Sequence, residues 1–229
     1  MYTKRFVCLA NSRQTSGRCI AGKEIYSNGA FGAWLRPVSA RPTQELHERE
    51  RRLPRGGDAS LLDILEIGLK EPRPHAHQSE NHLVDVRHSW VRRGLCPWNE
   101  LRNAVDKVES LWGTGCSSRH GINDRIFSED AKQYRNSLLL IQPEEFSVEV
   151  FAEKTEFGER HRARGFLFYR GEEYRFSITD PEIERQYLAE GEGEYPLEQA
   201  LLCVSLGEPW IAGYCYKYCA GVITPGWRG

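Results

Sequence analysis

A chain of 229 residues, 40% hydrophobic and 28% charged, has an ordinary globular composition and is long enough for one large domain or two small ones. No apolar run approaches the ~20 residues that span a bilayer, and MYTKRFVCLANSR lacks the apolar core and cleavage site of a secretory leader, so a cytoplasmic protein without membrane contact is expected. The net charge of -1 names no partner, but residues 1–60 carry eleven Lys and Arg against five acids while residues 141–229 carry nine against sixteen, so the first half can present a basic face to a polyanion.

In chain order, Phe6 to Ala10 reads as a strand broken by Asn11-Ser12-Arg13. A turn at Gly17 opens a second run (Cys19, Ile20, Ala21), and Asn28-Gly29 turns into a third (Trp34, Leu35, Val38). This meander holds Arg13, Arg18 and Arg36 in its loops. A guanidinium fork there suits a phosphate or carboxylate, and arginines that merely solvate the rim fit equally. Thr43 to Arg52 has the makings of a short polar helix, ended by Pro54 and Gly56-Gly57. A fourth strand follows at Leu61 to Leu69 and a short fifth at Leu83 to Val86.

Residues 98–113 predict a helix, because Trp98, Leu101, Val105, Val108 and Trp112 recur at steps of three and four and Gly113 supplies a stop. The stretch to Asn136 reads as a long connecting loop. From Ser137 strands return: SLLLIQ, then FSVEVF, then a hairpin turning at Arg170-Gly171. Asp180 and Pro181 are an N-cap and first helical residue, and Leu201 to Leu206 and Tyr214 to Ile223 form the last two strands. The seven cysteines follow no framework, so they are expected as buried thiols.

Both halves thus run strand, strand, strand, short helix, strand, strand, the element order of the OB fold. The expected class is mainly β with short helices (α+β): an OB-like five-stranded barrel over 1–90, a helical insert and connecting loop over 91–136, and a second barrel over 137–229. A single mixed α+β domain is the alternative.

The segments FVCLANSR, GRCIAG, WLRPVS, LLDILEI, EPRPH, HGINDR, ITDP, SLGEP and YCYK together resemble the bacterial dual OB-containing domain proteins, over nearly the whole chain. The resemblance implies two OB-like barrels and a role in conflict with phage or other mobile DNA, as a nucleic-acid or nucleotide sensor beside other defence proteins. It carries over no catalytic residues.

Three stretches offer sites. In Tyr214 to Cys219, alternation puts the tyrosines on one face and Cys215, Lys217 and Cys219 on the other. Tyr216 and Tyr218 then either stack unpaired bases or pack against a neighbour. EPRPHAHQSENH gathers Arg73, His75, His77, Gln78, Asn81 and His82. Zinc on His75, His77, His82 and Cys96 is weighed and set aside for want of a Cys-x-x-Cys pair, which leaves a pocket reading a base or phosphate. CSSRHGINDR holds Ser118, Arg119, His120, Asn123, Asp124 and Arg125, which suit loop ties, a ligand pocket or acid–base chemistry, with His120 and Asp124 as the catalytic candidates.

No Walker A loop, dinucleotide fingerprint or paired metal-binding carboxylates are present, and no cofactor or metal is expected. The reading is a protein that binds single-stranded nucleic acid or a nucleotide through a cleft between its halves. Asn11, Arg13, Arg18, Arg36, Arg119, Arg125 and Lys217 would serve phosphate and polar groups, Tyr216 and Tyr218 bases, and His75, Asn81, His120 and Asn123 polar edges. An enzyme on a small anionic substrate with His120 as base, and a protein–protein adaptor, are the competing classes.

Overall fold

The computed structural model describes every residue except Thr15, Arg55, Glu156, Phe157, Ile211 and 227–229. Two compact units emerge, Met1–Val105 with Arg135–Leu138, and Asp106–Tyr134 with Leu139–Thr224.

The first unit contains β1 (Tyr2–Arg13), β2 (Arg18–Ile25), β3 (Phe31–Val38), α1 (Glu48–Arg51), β4 (Asp63–Pro72), β5 (Asn81–Val84) and β6 (Val91–Leu95). Its strands pair in the order β1-β2-β3-β5-β4, and β4 returns to β1, so the sheet closes, with β6 added to β4. The closing pair is antiparallel from Tyr2↔Leu69 to Val7↔Ile64, and β3 runs parallel to β5 from Arg36↔Asn81 to Val38↔Leu83. This closure, with the helix between third and fourth strands, is the five-stranded Greek-key barrel.

Its interior is filled by Phe6, Leu9, Ile20, Leu35, Leu65, Ile67 and Leu69, all buried. Leu65, Ile67 and Leu69 keep the parity that alternation predicts, whereas the register of β1 shifts between Cys8 and Ala10 and Phe6 to Ala10 are buried throughout. Gly22 on β2 lies so close to β1 that a Cβ would sit 1.8 Å from the Val7 carbonyl oxygen. No other residue type fits there without displacing the strand.

Residues 98–113 depart from the predicted helix. α2 covers only Trp98–Leu101, a 3-10 turn follows at Arg102–Ala104, and Val105 is extended. The Asp106 amide donates to the Leu140 carbonyl at 2.7 Å, and the Asp106 carboxylate accepts from the Leu140 amide at 2.9 Å. Pairing with a strand has replaced the helical ladder, and tertiary contact outweighs a weak local preference. Of the five spaced residues Leu101 and Trp112 are buried, while Trp98, Val105 and Val108 are half-buried.

The second unit contains β7 (Arg125–Phe127), α3 (Ser128–Ala131), β8 (Leu138–Ile141), β9 (Glu145–Thr155), β10 (Gly158–Tyr169), β11 (Glu172–Ile178), α4 (Pro181–Glu190), β12 (Gly193–Pro196), β13 (Leu201–Pro209) and β14 (Tyr214–Ile223). The sheet order is β12-β9-β10-β11-β14-β13-β8, with β7 on β14. β11 is parallel to β14 through Ser177↔Tyr218.

This is the same barrel with its first strand broken into β8 and β9 and its fourth into β12 and β13. The two halves of each broken strand pair separately, β12 with β9 and β13 with β8. α4 occupies the place between third and fourth strands. Its N-cap is Asp180, whose carboxylate accepts from the amides of Glu182 (3.0 Å) and Ile183 (3.4 Å) and, across the barrel, from Val222 (3.4 Å). The hairpin at Arg170-Gly171 has both residues at positive φ, 55° and 79°, as a two-residue turn with right-handed strand twist requires. Five of the seven cysteines are buried, and Cys19 and Cys116 are half-buried.

Candidate functional site

In the second unit, residues 122–127 fill a slot between the third and fifth strands. Ile122 exchanges both backbone hydrogen bonds with Arg175 of β11, and the Lys217 amide of β14 donates to the Asp124 carbonyl at 2.7 Å. Arg125 and Phe127 then pair with Tyr216 and Tyr214. Asn123 locks the slot: at a φ of 49° it donates from its side chain to the Glu173 carbonyl (2.9 Å) and accepts from the Gly115 amide (2.6 Å).

Because 122–127 lies in a sheet, its side chains alternate. Asp124 and Ile126 are buried, while Asn123, Arg125 and Phe127 face outward. β14 follows the expected alternation, with Cys215, Lys217 and Cys219 buried and the three tyrosines on the outer face.

That outer face carries a stack. The Arg125 guanidinium carbon lies 4.1 Å from the Tyr214 ring centroid, and the Tyr214 and Phe127 rings are 4.9 Å apart at 32°. Phe127 is 52% exposed and Trp210, in the turn before β14, 64%. The turn is closed by Trp210 N–H to Tyr214 O and Gly213 N–H to Trp210 O, each 2.8 Å. The Tyr216 and Cys116 side chains beside Arg125 hold its pKa up, and its Nε is buried without a hydrogen-bond partner. Tyr218 is differently placed: its ring lies against Gly207, where a Cβ would meet it at 2.9 Å, and burial raises its pKa. It packs on β13 and has no open ring face like that of Phe127.

The same face continues over β9, β10 and β11. His120 stands 6.3 Å from Phe151, the Arg164 guanidinium 6.0 Å from Phe151, and Arg175 5.9 Å from Phe166. Most of these charges are matched, Arg175 by Glu149 at 2.9 Å and Arg162 by Glu153 at 3.1 Å. Arg164 donates to Ser177 Oγ at 3.2 Å, its Nε is buried without a partner, and burial lowers its pKa. Arg119 is exposed.

The catalytic candidates do not form a pair. The Asp124 carboxylate is taken by Ser118, accepting from its amide at 2.7 Å and its hydroxyl at 2.6 Å, whereas the His120 ring faces Glu153 at 3.4 Å. Lys217 lies inside the barrel, donating to the Gly113 carbonyl at 2.6 Å with its ammonium 5.5 Å from the Tyr174 centroid. Desolvation pulls its pKa down to about 7 against the opposing pull of Asp124 and Cys116.

In the first unit, Arg13 and Arg18 are direct cross-strand partners at the turn end of the β1–β2 hairpin, with Asn11 two residues along. Like charges opposed in this way repel unless an anion lies between them. Arg18 Nη1 has no partner, and Asn11 is fixed by donation to the Ala59 carbonyl at 2.6 Å.

Arg36 is turned inward instead, 4% exposed, facing Glu80 at 3.3 Å and the Asn81 side-chain oxygen at 3.5 Å. Asn81 is fully buried and donates to Gln44 and Gln78, each at 3.0 Å. This network ties β3 to β5. His75 is exposed and His77 is buried, so the two imidazoles do not share an environment. Among the described residues no group of three His, Cys, Asp or Glu side chains is placed to hold a metal ion, and no helix is long and apolar enough to cross a membrane.

Phe127, Trp210, Phe151 and Arg164 were not among the sequence candidates, and Tyr214 entered only as a member of the tyrosine row. Trp210 had a legible signal, a large aromatic inside the turn GEPWIAG between two strands.

Neither the search of the curated proteins nor that of the solved structures finds a match. A family model described as "Dual OB-containing domain" matches residues 4–222. That span takes in both sheets, from within β1 into β14, and the chain belongs to the dual OB-containing domain family.

Proposed function

We propose that this chain is a nucleic-acid or nucleotide binding module that engages unpaired bases on the outer face of its second barrel. The supporting observation is the stack of half-buried Arg125 and Tyr214 with exposed Phe127, together with exposed Trp210, whose backbone N–H bonds the Tyr214 carbonyl. It lies at the fifth strand and the turn leading into it, a part of the OB fold suited to oligonucleotides. Aromatic faces stack any base at about 1–3 kcal/mol each, and Arg125 and Arg164 would supply charge for phosphate. Arg13 and Arg18 of the first barrel would hold phosphate independently. We place the protein in the cytoplasm of a bacterium, in a system that counters phage or other mobile DNA alongside partner proteins, a setting that rests on the family resemblance.

Fluorescence anisotropy with labelled single-stranded DNA, single-stranded RNA and duplex DNA at two salt concentrations tests this. Salt-sensitive binding that prefers a single strand and is lost in Trp210→Ala, Phe127→Ala is expected. If neither single strand binds, the polymer reading is wrong. Nucleotides would then be titrated, and the same Trp, Tyr and Arg would be examined as a protein-docking patch.

A further inference from the structure

The second barrel stays open where its first and fourth strands are broken. Residues 142–144 separate β8 from β9 and residues 197–200 separate β12 from β13, with Gln199 at a φ of 56°. The rims are pinned by Glu144 N–H to Phe168 O and Leu197 N–H to Phe146 O, each 2.9 Å. Between them is a cavity of about 490 Å³, a size typical of small-molecule sites.

Apolar and polar groups share the walls. Pro196, Ser147 and Phe166 lie side by side across β12, β9 and β10, and Phe146, Leu197, Pro143 and Ala200 are the other apolar members, with Gln199 among them. Phe146 is seated over Gly165, where a Cβ would approach its ring to 2.8 Å. The rim is of one sign: of the twelve lining residues four are glutamates, and none is Lys, Arg or His. Glu194 accepts from Ser147 Oγ at 2.9 Å and Glu144 from the Arg170 amide. Glu145 and Glu198 are exposed and have no ion pair among the described residues. Outside the lining, Arg175 over Phe166 is matched by Glu149, and Arg170 stands beside Glu144, which leaves Glu145, Glu194 and Glu198 as the rim's other carboxylates.

From this combination we infer that the seam pocket binds a small organic cation, an amine or guanidinium on an apolar body. Aromatic walls and a carboxylate rim both favour positive charge, and the same rim repels nucleotides. The pocket borders the outer face, which Phe166 also serves, but the inference does not depend on the nucleic-acid reading.

Isothermal titration of the full chain with agmatine at low salt tests it, with 4-guanidinobutyrate, in which a carboxylate replaces the ammonium group, as comparison. Saturable one-to-one binding is expected, weaker for 4-guanidinobutyrate, and weakened roughly tenfold or more in Glu145→Gln, Glu198→Gln. Both positions are exposed, so the variant keeps its fold, which circular dichroism checks; Phe166→Ala weakens binding through the wall. No saturable binding up to roughly 10 mM agmatine, or equal affinity in the double glutamine variant, overturns the inference.

Discussion

The Arg125 guanidinium stands 4.1 Å from the centre of the Tyr214 ring, held there because the two residues lie on neighbouring strands, with Arg125 in register with Tyr216. A cation seated on one face of an aromatic row gives a base somewhere to stack and its phosphate something to meet.

Arg125→Ala is therefore expected to weaken single-strand binding by about 1–2 kcal/mol and to lower the slope of log K against log salt by roughly 0.7, the value for one phosphate contact. Trp210→Ala should cost a similar amount while leaving the slope unchanged, since stacking releases no counterion. Anisotropy titrations at several salt concentrations separate the two.

Arg36 behaves differently from the arginines at the barrel mouth. Arg36→Ala strands a Glu80 side chain that is only 3% exposed, which costs about 3–5 kcal/mol. Arg18→Ala at the mouth should cost less than about 1 kcal/mol. Urea unfolding distinguishes them, and any binding defect of Arg36→Ala should track its unfolded fraction.

Lys217 loses its proton at about 7 when folded and at 10.5 in the open chain. Between these values the unfolded state holds the extra proton, so stability rises with pH. The expected gain from about pH 7 to about pH 9 is about 2–3 kcal/mol. Lys217→Met should abolish that rise in urea midpoints.

Asp180 gives the opposite slope in a lower window. Burial raises its pKa from 3.8 to about 6, so the folded state keeps a proton that the unfolded state has released. Its contribution is full below about pH 4 and fades through about pH 6, by up to about 3 kcal/mol. Asp180→Asn removes the slope at the cost of the Val222 hydrogen bond. Together the two groups predict a stability minimum between about pH 6 and pH 7 in the wild-type protein, visible as a dip in Tm against pH.

Strands and caps were legible because they depend on local pattern. Alternation in Tyr214 to Ile223 and the Asp180-Pro181 pair needed no knowledge of what lay beside them. Arg36 was misread as a surface group because Leu35, Arg36, Pro37 and Val38 are all buried, and alternation supposes one open face. Residues 98–113 kept the burial of Leu101 and Trp112 but not their helix, since Asp106 found a strand partner 34 residues away. Pro143 hinted at the break in the first strand, whereas the break after Pro196 rests on a glutamine at positive φ, which nothing local announces. The placement of Phe127 beside Tyr214 is a long-range pairing that no single stretch encodes.

The strand that fills the slot between β11 and β14 also decides where this chain can be cut. A fragment beginning at Ser137 would look complete on the five-strand count, yet it would lack the partners of Arg175, Tyr214 and Tyr216. Two bare edges beside exposed aromatics would be left to pair with other copies. Expression of the second barrel as a separate soluble piece therefore has to start before Asp106, and a cut at 136 should yield aggregates.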